Sequence, residues 1–275
     1  MIRIALAALA LTLALPATAQ ETRQPSHCIA VADAAPGIRY LHKASWQAPI
    51  EEYAVRIRYI GHASFLIRTE GGLNAVTDFT GFIGMTEMIP DVVTMNHAHS
   101  SHWTPNPDPA IPHVLRGWGA EFGAGIDHYV DLGEMLVRNV STDIRSGYGE
   151  REESGNSIFV FETAGLCIAH LGHLHHEPND EQYAALGRAD VLMVPVDGGY
   201  TMSREAMIRV VERLKSSIVI PMHWFSGYAL EDFLDGVSER WAIERTGTSS
   251  IDVSLATLPS RRTVMVLEPE RLSDD

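Results

Sequence analysis

The chain has 275 residues, with 21 basic and 35 acidic side chains and a formal charge of −14. Such an anionic surface repels phosphate backbones, which argues against nucleic acid as a partner. Its 45% hydrophobic and 20% charged composition is that of a globular chain able to bury a core, which excludes a disordered or fibrous protein.

The first 19 residues read as a secretory signal. Arg3 supplies the positive start, Ile4 to Leu15 the apolar stretch, and Ala17-Thr18-Ala19 the small-residue cleavage site. No cysteine follows Ala19, which argues against a lipid anchor. No later apolar run reaches the roughly 18 residues a spanning helix needs, so stable membrane insertion is not expected. The mature chain is expected in the periplasm or outside the cell. Residues 20–54 lack a clear period and read as an N-terminal arm; 55–275 read as one domain.

Two cysteines are too few for a disulfide framework. Cys167, in the apolar run Leu166 to Ala169, reads as a free thiol packed as a small hydrophobe. A bridge to Cys28 is the alternative that an oxidising compartment permits.

Val55, Ile57 and Tyr59 alternate with Arg56 and Arg58, the pattern of a half-buried strand. Ala63 to Arg68 and Asn74 to Thr77 flank Gly71-Gly72 as a hairpin. Val92 to Met95 is a short buried strand, and the four prolines between Pro105 and Pro112 make a loop. Ser157 to Glu162 and Leu166 to Leu171 form a second hairpin. A helix capped by Asn179 or Asp180 runs to about Gly187. Val191 to Val196 is a strand. Met207, Val210, Val211 and Leu214 give Ser203 to Lys215 one apolar helical face. Ile218 to Ile220 and Thr263 to Leu267 are the last strands. Hairpins followed by strand–helix–strand units predict an α/β fold of mixed sheets covered by helices.

The histidines carry the chemistry. His97, His99 and His102 form an H-x-H-x-x-H group just after the strand Val92 to Met95. His170, His173, His175 and His176 crowd the end of the strand Leu166 to Leu171, and His223 follows Ile218 to Ile220. Strand ends on one edge of a sheet converge on one crevice, and neutral imidazole is the common nitrogen ligand for zinc. His97, His99, His102, His173 and His223 are therefore the candidate metal ligands. In H-x-H at a strand-to-loop transition alternate side chains point the same way, so His97 and His99 can bind one ion. His170 reads as support for the core, and His62 as a hydrogen-bonding residue beneath the site. His175 and His176 read as residues around the site.

These residues lie in motifs that resemble a known family. GHASFLI (61–67), TD (77–78), HAHSSH (97–102), HLGH (170–173), DVLMVPVDG (190–198) and VIPMH (219–223) resemble the metallo-β-lactamase-fold hydrolases, closest to their ascorbate-lactonase-like branch. The resemblance implies an αββα sandwich with a metal site along one edge. It also implies hydrolysis of an ester, lactone, amide or phosphoester through a metal-bound hydroxide. Three departures stand out. Ser101 replaces the aspartate of H-x-H-x-D-H, His173 replaces a bridging aspartate, and Val140 to Gly149 lacks a further ligand histidine, with only Asp143 as an oxygen donor.

Two divalent ions about 3.5 Å apart repel by roughly 19 kcal/mol at an effective dielectric of about 20. Without the two carboxylates that offset this, one ion per chain is expected. Zinc fits best, although thiolate-free ligation also permits iron or manganese. Asp78 is expected to orient a ligand histidine. His173 or His176 is expected to act as the base, with Ser101 hydrogen-bonding the attacking water. Trp103, Trp118 and Trp224 are candidates for an apolar wall facing a small-molecule substrate. The competing reading is a periplasmic metal-binding protein, without hydrolysis, whose second metal site has decayed.

Overall fold

The computed structural model describes residues 25–30, 45–145 and 149–274. The signal segment lies outside the described residues, as does most of the arm.

Five strands and a short β-bridge segment form the first half: β1 (Val55–Gly61), β2 (Ser64–Thr69), β3 (Asn74–Val76), β4 (Gly84–Met85), β5 (Val92–Met95) and β6 (His113–Arg116). The short helix α1 (His27–Ala30) precedes them. Then come β7 (Tyr129–Asp131), β8 (Met135–Arg145), β9 (Arg151–Thr163) and β10 (Leu166–His170). Strands and helices alternate next: α2 (Asp180–Leu186), β11 (Val191–Pro195), α3 (Arg204–Leu214), β12 (Ile218–Met222) and α4 (Gly227–Val237). The chain closes with β13 (Ala242–Arg245), β14 (Ser250–Val253), β15 (Thr263–Val266) and β16 (Leu272–Ser273).

Two sheets result. One has six strands in the order β14-β1-β2-β3-β5-β6, the other eight in the order β13-β15-β12-β11-β10-β9-β8-β7. Neighbours β3, β5 and β6 run parallel, as do β10, β11, β12 and β15. The core lies between the sheets, where Val55, Ile57, Tyr59 and Phe65 of the first meet Phe159, Phe161, Ile168, Met193 and Ile220 of the second. The opposite face of the larger sheet carries Cys167, Ala169, Leu192 and Val219 under Met207, Val210 and Val211 of α3 and Phe233 and Val237 of α4. This is the mixed α/β sandwich that the motifs imply. On the outer face of the smaller sheet, loop residues such as Trp46, Phe79, Ile83 and Ile111 cover Ile60, Leu66, Val76 and Met95.

The expected helices form where the caps lie. Asn179 and Gln182 make a reciprocal capping box on α2, and the Ser203 side chain accepts from the Ala206 N–H at the start of α3. Strand β1 departs from expectation because both of its faces are buried. Arg56 is 1% exposed. Its guanidinium donates to both carboxylate oxygens of Asp252 at 2.7 Å and to the carbonyls of Ser45 and Ala48. A buried cation persists only with such full pairing.

The bridge also differs from the free-thiol reading: Cys28 and Cys167 are joined, with Cα atoms 5.8 Å apart across a separation of 139 residues. Cys167 lies on the helix-facing side of β10, where α1 can reach it. The Glu162 carboxylate draws the segment in, accepting from the Ser26 hydroxyl at 2.5 Å, the His27 N–H at 3.0 Å and Arg138 Nε at 2.7 Å.

Candidate metal centre

Every histidine of interest follows a strand end. His62 follows β1; His97, His99 and His102 follow β5; His173 follows β10; His223 follows β12. The C-terminal ends of strands from both sheets thus open on one crevice, the usual ligand position in sheets of this kind.

One ring nitrogen from each of His62, His99, His102 and His223 lies within 4.8 Å of the others. The backbone at His62, Asp78 and His223 is left-handed, with φ of +55°, +42° and +58°. Asp and His tolerate this conformation better than most residues, and its clustering is typical of functional sites.

Two carboxylates set the proton positions. His102 Nδ1–H donates to Asp78 at 2.5 Å, and His223 Nδ1–H donates to Asp197 at 2.8 Å. A carboxylate only accepts, so both protons sit on Nδ1 and both Nε2 atoms present lone pairs. Those Nε2 atoms face each other at 3.1 Å, and His62 Nε2 lies 3.3 Å from His102 Nε2. Two lone pairs so close repel unless a cation lies between them. In a tetrahedral zinc site with Zn–N of about 2.0–2.1 Å, neighbouring nitrogens stand roughly 3.3–3.4 Å apart. The donor set therefore fits a divalent ion.

The carboxylates are held differently. Burial pushes Asp78 up to about 6, against the opposing pull of nearby histidines and a 2.8 Å bond from Asn96 Nδ2, so it is largely ionised at neutral pH. Burial also raises Asp197, but bonds from His223, Thr201 and Gly199 outweigh it and hold that carboxyl well below the usual range. Burial, followed by mutual repulsion with neighbouring histidines, lowers His62 to about 3 and depresses His99, His102 and His173, so these rings stay neutral. Neutral imidazole is the form that binds metal.

His173 lies beside the cluster, its ring 4.7 Å from those of His102 and His223 and nearly perpendicular to both. Both its nitrogens are buried without a hydrogen-bond partner, an arrangement that costs free energy unless a ligand completes it. Its backbone N–H donates to Asn156 Oδ1 at 2.8 Å. Gly172 makes that approach possible. Its φ is +61°, and a Cβ there would lie 2.4 Å from Asn96 Nδ2 and 2.5 Å from Asn156 Oδ1. The glycine of HLGH thus admits both asparagines, one supporting Asp78 and the other the His173 backbone.

Ser101 Oγ lies 2.8 Å from His62 Nε2 and 2.7 Å from His99 Nδ1, linking the two rings. His97 lies apart from the four-nitrogen group. Its Nδ1 is 3.2 Å from Glu152 Oε1, and its ring stacks on Trp118 at 5.0 Å. The physical reason is local. Strand β5 ends at Met95, and 97–102 run through bends and a turn closed by His102 N–H to the His99 carbonyl at 2.9 Å. Alternation holds only in extended backbone, so His97 and His99 diverge.

Other candidates fall outside the cluster. His170 Nε2–H donates to the Ala63 carbonyl at 2.7 Å, beneath the site. Asp143 is paired with Arg151 and accepts from the Ser154 N–H, so its oxygens are engaged. Trp103 and Trp118 pack around His97. Two residues take places that local sequence does not reveal. His62 joins the cluster rather than lying beneath it, and Asp197 supplies the second anchoring carboxylate. The only local signal for His62 is its place directly after a strand.

Residues 56–223 match the beta-lactamase superfamily domain. A UPF0173 protein of Pyrococcus abyssi is 23% identical over 189 residues, covering 65% of this chain and 89% of its own. A UPF0173 metal-dependent hydrolase of Nanoarchaeum equitans is 26% identical over 187 residues, covering 62% and 84%. Among solved structures, a Thermotoga maritima protein assigned to the Zn-dependent hydrolases of the metallo-beta-lactamase superfamily superposes with a TM-score of 0.56. It is 26% identical and covers 78% of this chain and 99% of its own. A metallo hydrolase from Ignicoccus hospitalis, 18% identical, shares the fold with a TM-score of 0.52, covering 79% and 97%. With more than half its length matched and the sandwich and strand-end histidines in place, this chain belongs to the beta-lactamase superfamily domain family.

Proposed function

We propose that the protein is a metal-dependent hydrolase that cleaves an ester, lactone, amide or phosphoester bond in a small molecule, and that it works outside the cytoplasm. The facing Nε2 atoms of His102 and His223, each with its proton fixed on Nδ1 by a carboxylate, carry this reading. Three of His62, His99, His102 and His223, with His102 and His223 among them, would hold one ion and leave a position open for water, with zinc the best match to an imidazole set. A divalent ion there supplies Lewis-acid polarisation of the scissile oxygen and acidifies water.

The chain's own residues do the rest. Asp78 and Asp197 lock two ligand rings in the tautomer that offers Nε2. His173, neutral and with both nitrogens uncommitted, offers an acceptor that orients the attacking water. Ser101 steadies His99 through Nδ1 and can hydrogen-bond the same water.

Export is supported by the signal-like first 19 residues and by the Cys28–Cys167 bridge, since disulfides persist in oxidising compartments. The anionic composition disfavours nucleic acid. Among the described residues, no helix is long and apolar enough to cross a membrane.

The test is turnover of chromogenic esters, lactones and phosphodiesters by zinc-loaded protein, with and without a chelator. Chelator-sensitive turnover that falls at least about a hundredfold in His102→Ala and His223→Ala supports the reading. Tight zinc binding without turnover of any probe replaces it with a metal-binding role.

A further inference from the structure

Two large aromatic rings stand in solvent at the edge of the histidine cluster. Phe225 is 60% exposed and Tyr200 is 70% exposed. The Phe225 ring lies 5.1 Å from that of His223 and 5.3 Å from that of His62. Tyr200 meets Phe225 edge to face, at 5.3 Å and 72°. Adjoining exposed aromatics are uncommon on a soluble surface without a use, and beside a polar site they serve as the apolar part of a ligand pocket.

The backbone beneath Tyr200 is held in place. Arg145 Nη2 donates to the carbonyls of Gly199, Tyr200 and Thr201 at 2.8, 2.6 and 2.8 Å. His175 accepts the Arg145 N–H at Nδ1, which leaves its Nε2–H to donate to the Tyr200 carbonyl at 2.7 Å. From the other side, Asp197 accepts from the N–H groups of Gly199 and Thr201 and from the Thr201 hydroxyl. The same carboxylate anchors His223, so the ring-bearing loop and a proposed ligand share one support. Such bracing removes ordering entropy from binding. Arg145 Nη2 and Asp197 spend these hydrogen bonds on the loop and on His223, and the exposed rings of Tyr200 and Phe225 add apolar contact beside the cluster.

We propose that Tyr200 and Phe225 form an aromatic wall that selects substrates bearing an aryl or medium-length acyl group beside the scissile bond. The proposal rests on the hydrolase reading above and adds a specificity role to it. Arg145 and His175 are positioning residues that hold the loop.

Hydroxamates, which chelate zinc whatever the true substrate, give a test independent of turnover. Zinc-loaded full-length protein is titrated with acetohydroxamate and with benzohydroxamate. The wild type should prefer benzohydroxamate by about tenfold, the size of one good aromatic contact. Tyr200→Ala and Phe225→Ala should each erase most of that preference, with zinc content and acetohydroxamate affinity unchanged, and Tyr200→Phe should keep it. Equal affinities in the wild type, or an unchanged preference in both alanine variants, overturn the wall alone. If zinc is not retained and neither hydroxamate binds, the metal site fails and the wall falls with it.

Discussion

His102 and His223 approach through Nε2 at 3.1 Å, and each is anchored through Nδ1 to its own carboxylate, Asp78 and Asp197. The two carboxylates come from different sheets, one just after β3 and the other just after β11. The cluster thus ties the two layers together at their shared edge. Asp78→Asn and Asp197→Asn should each weaken zinc binding about 10–100-fold while leaving the fold intact. Competition with a chromophoric chelator measures this, and unchanged affinity in both variants would show that the carboxylates do not tune the site.

His97 should behave unlike the clustered histidines despite its spacing from His99. With its ring against Trp118 and Nδ1 beside Glu152, His97 is not positioned to share the ion. Elemental analysis should find about one zinc per chain in both the wild type and His97→Ala. His102→Ala and His223→Ala should lose it on dialysis, as expected when a ligand is removed.

Ser101 occupies the position where the family motif carries aspartate. It bridges two neutral rings and adds no charge, so nothing there offsets a second ion. Ser101→Asp should raise bound zinc above one per chain in excess metal, because a carboxylate offsets part of the repulsion between ions. A stoichiometry held at one would locate the barrier elsewhere, with His173 the next position to convert.

The disulfide closes a loop of 139 residues. Removing it with Cys28→Ala/Cys167→Ala should cost about 2–5 kcal/mol, mainly by freeing the unfolded chain. Urea midpoints for the oxidised protein and the variant give the difference directly. Zinc content should be preserved, since the bridge lies on the helix-facing side of β10.

Metal-free protein should lose stability on mild acidification. Burial lowers His62 to about 3 and His175 to about 4, whereas an unfolded histidine titrates near 6.5. Between those values the unfolded chain binds more protons, so stability falls as pH drops. Asp78, raised by burial to about 6, and Asp190, also raised by burial, act in the opposite sense but are outnumbered by the depressed histidines His62, His99, His102, His170, His173, His175 and His176. The urea midpoint should therefore be lower at pH 5 than at pH 7.5, with a shallower slope in His62→Gln. A flat profile would contradict the neutral, buried state of these rings.

Much of the larger architecture was legible because it follows local periodicity. The capped helices α2 and α3 and the apolar strands β5, β11 and β12 form where expected, and their ends deliver the histidines to one crevice. Helix α4 carries Leu230, Phe233, Leu234 and Val237 on one buried face. It was obscured because Gly227 and Gly236 weaken helical preference and Ser226 makes no side-chain cap bond. The strands β8 and β9 run past their apolar parts because buried Thr142 and Asn156 bond each other across the pair. His97 could not be placed from spacing, since alternation ends where β5 stops at Met95 and the bends and turn over 97–102 redirect the side chain. The pairing of His223 with Asp197 and the approach of Cys28 to β10 join distant segments, which no local pattern encodes.

With two cysteines among these 275 residues, one intramolecular pairing is available, so oxidation has no wrong partner within the chain. A polypeptide emerging from its N-terminus exposes Cys28 long before its mate Cys167, 139 positions further on. Until then that thiol can be captured only by small oxidants or another molecule. Maturation therefore depends on keeping one early sulfur available, rather than on reshuffling mispaired ones.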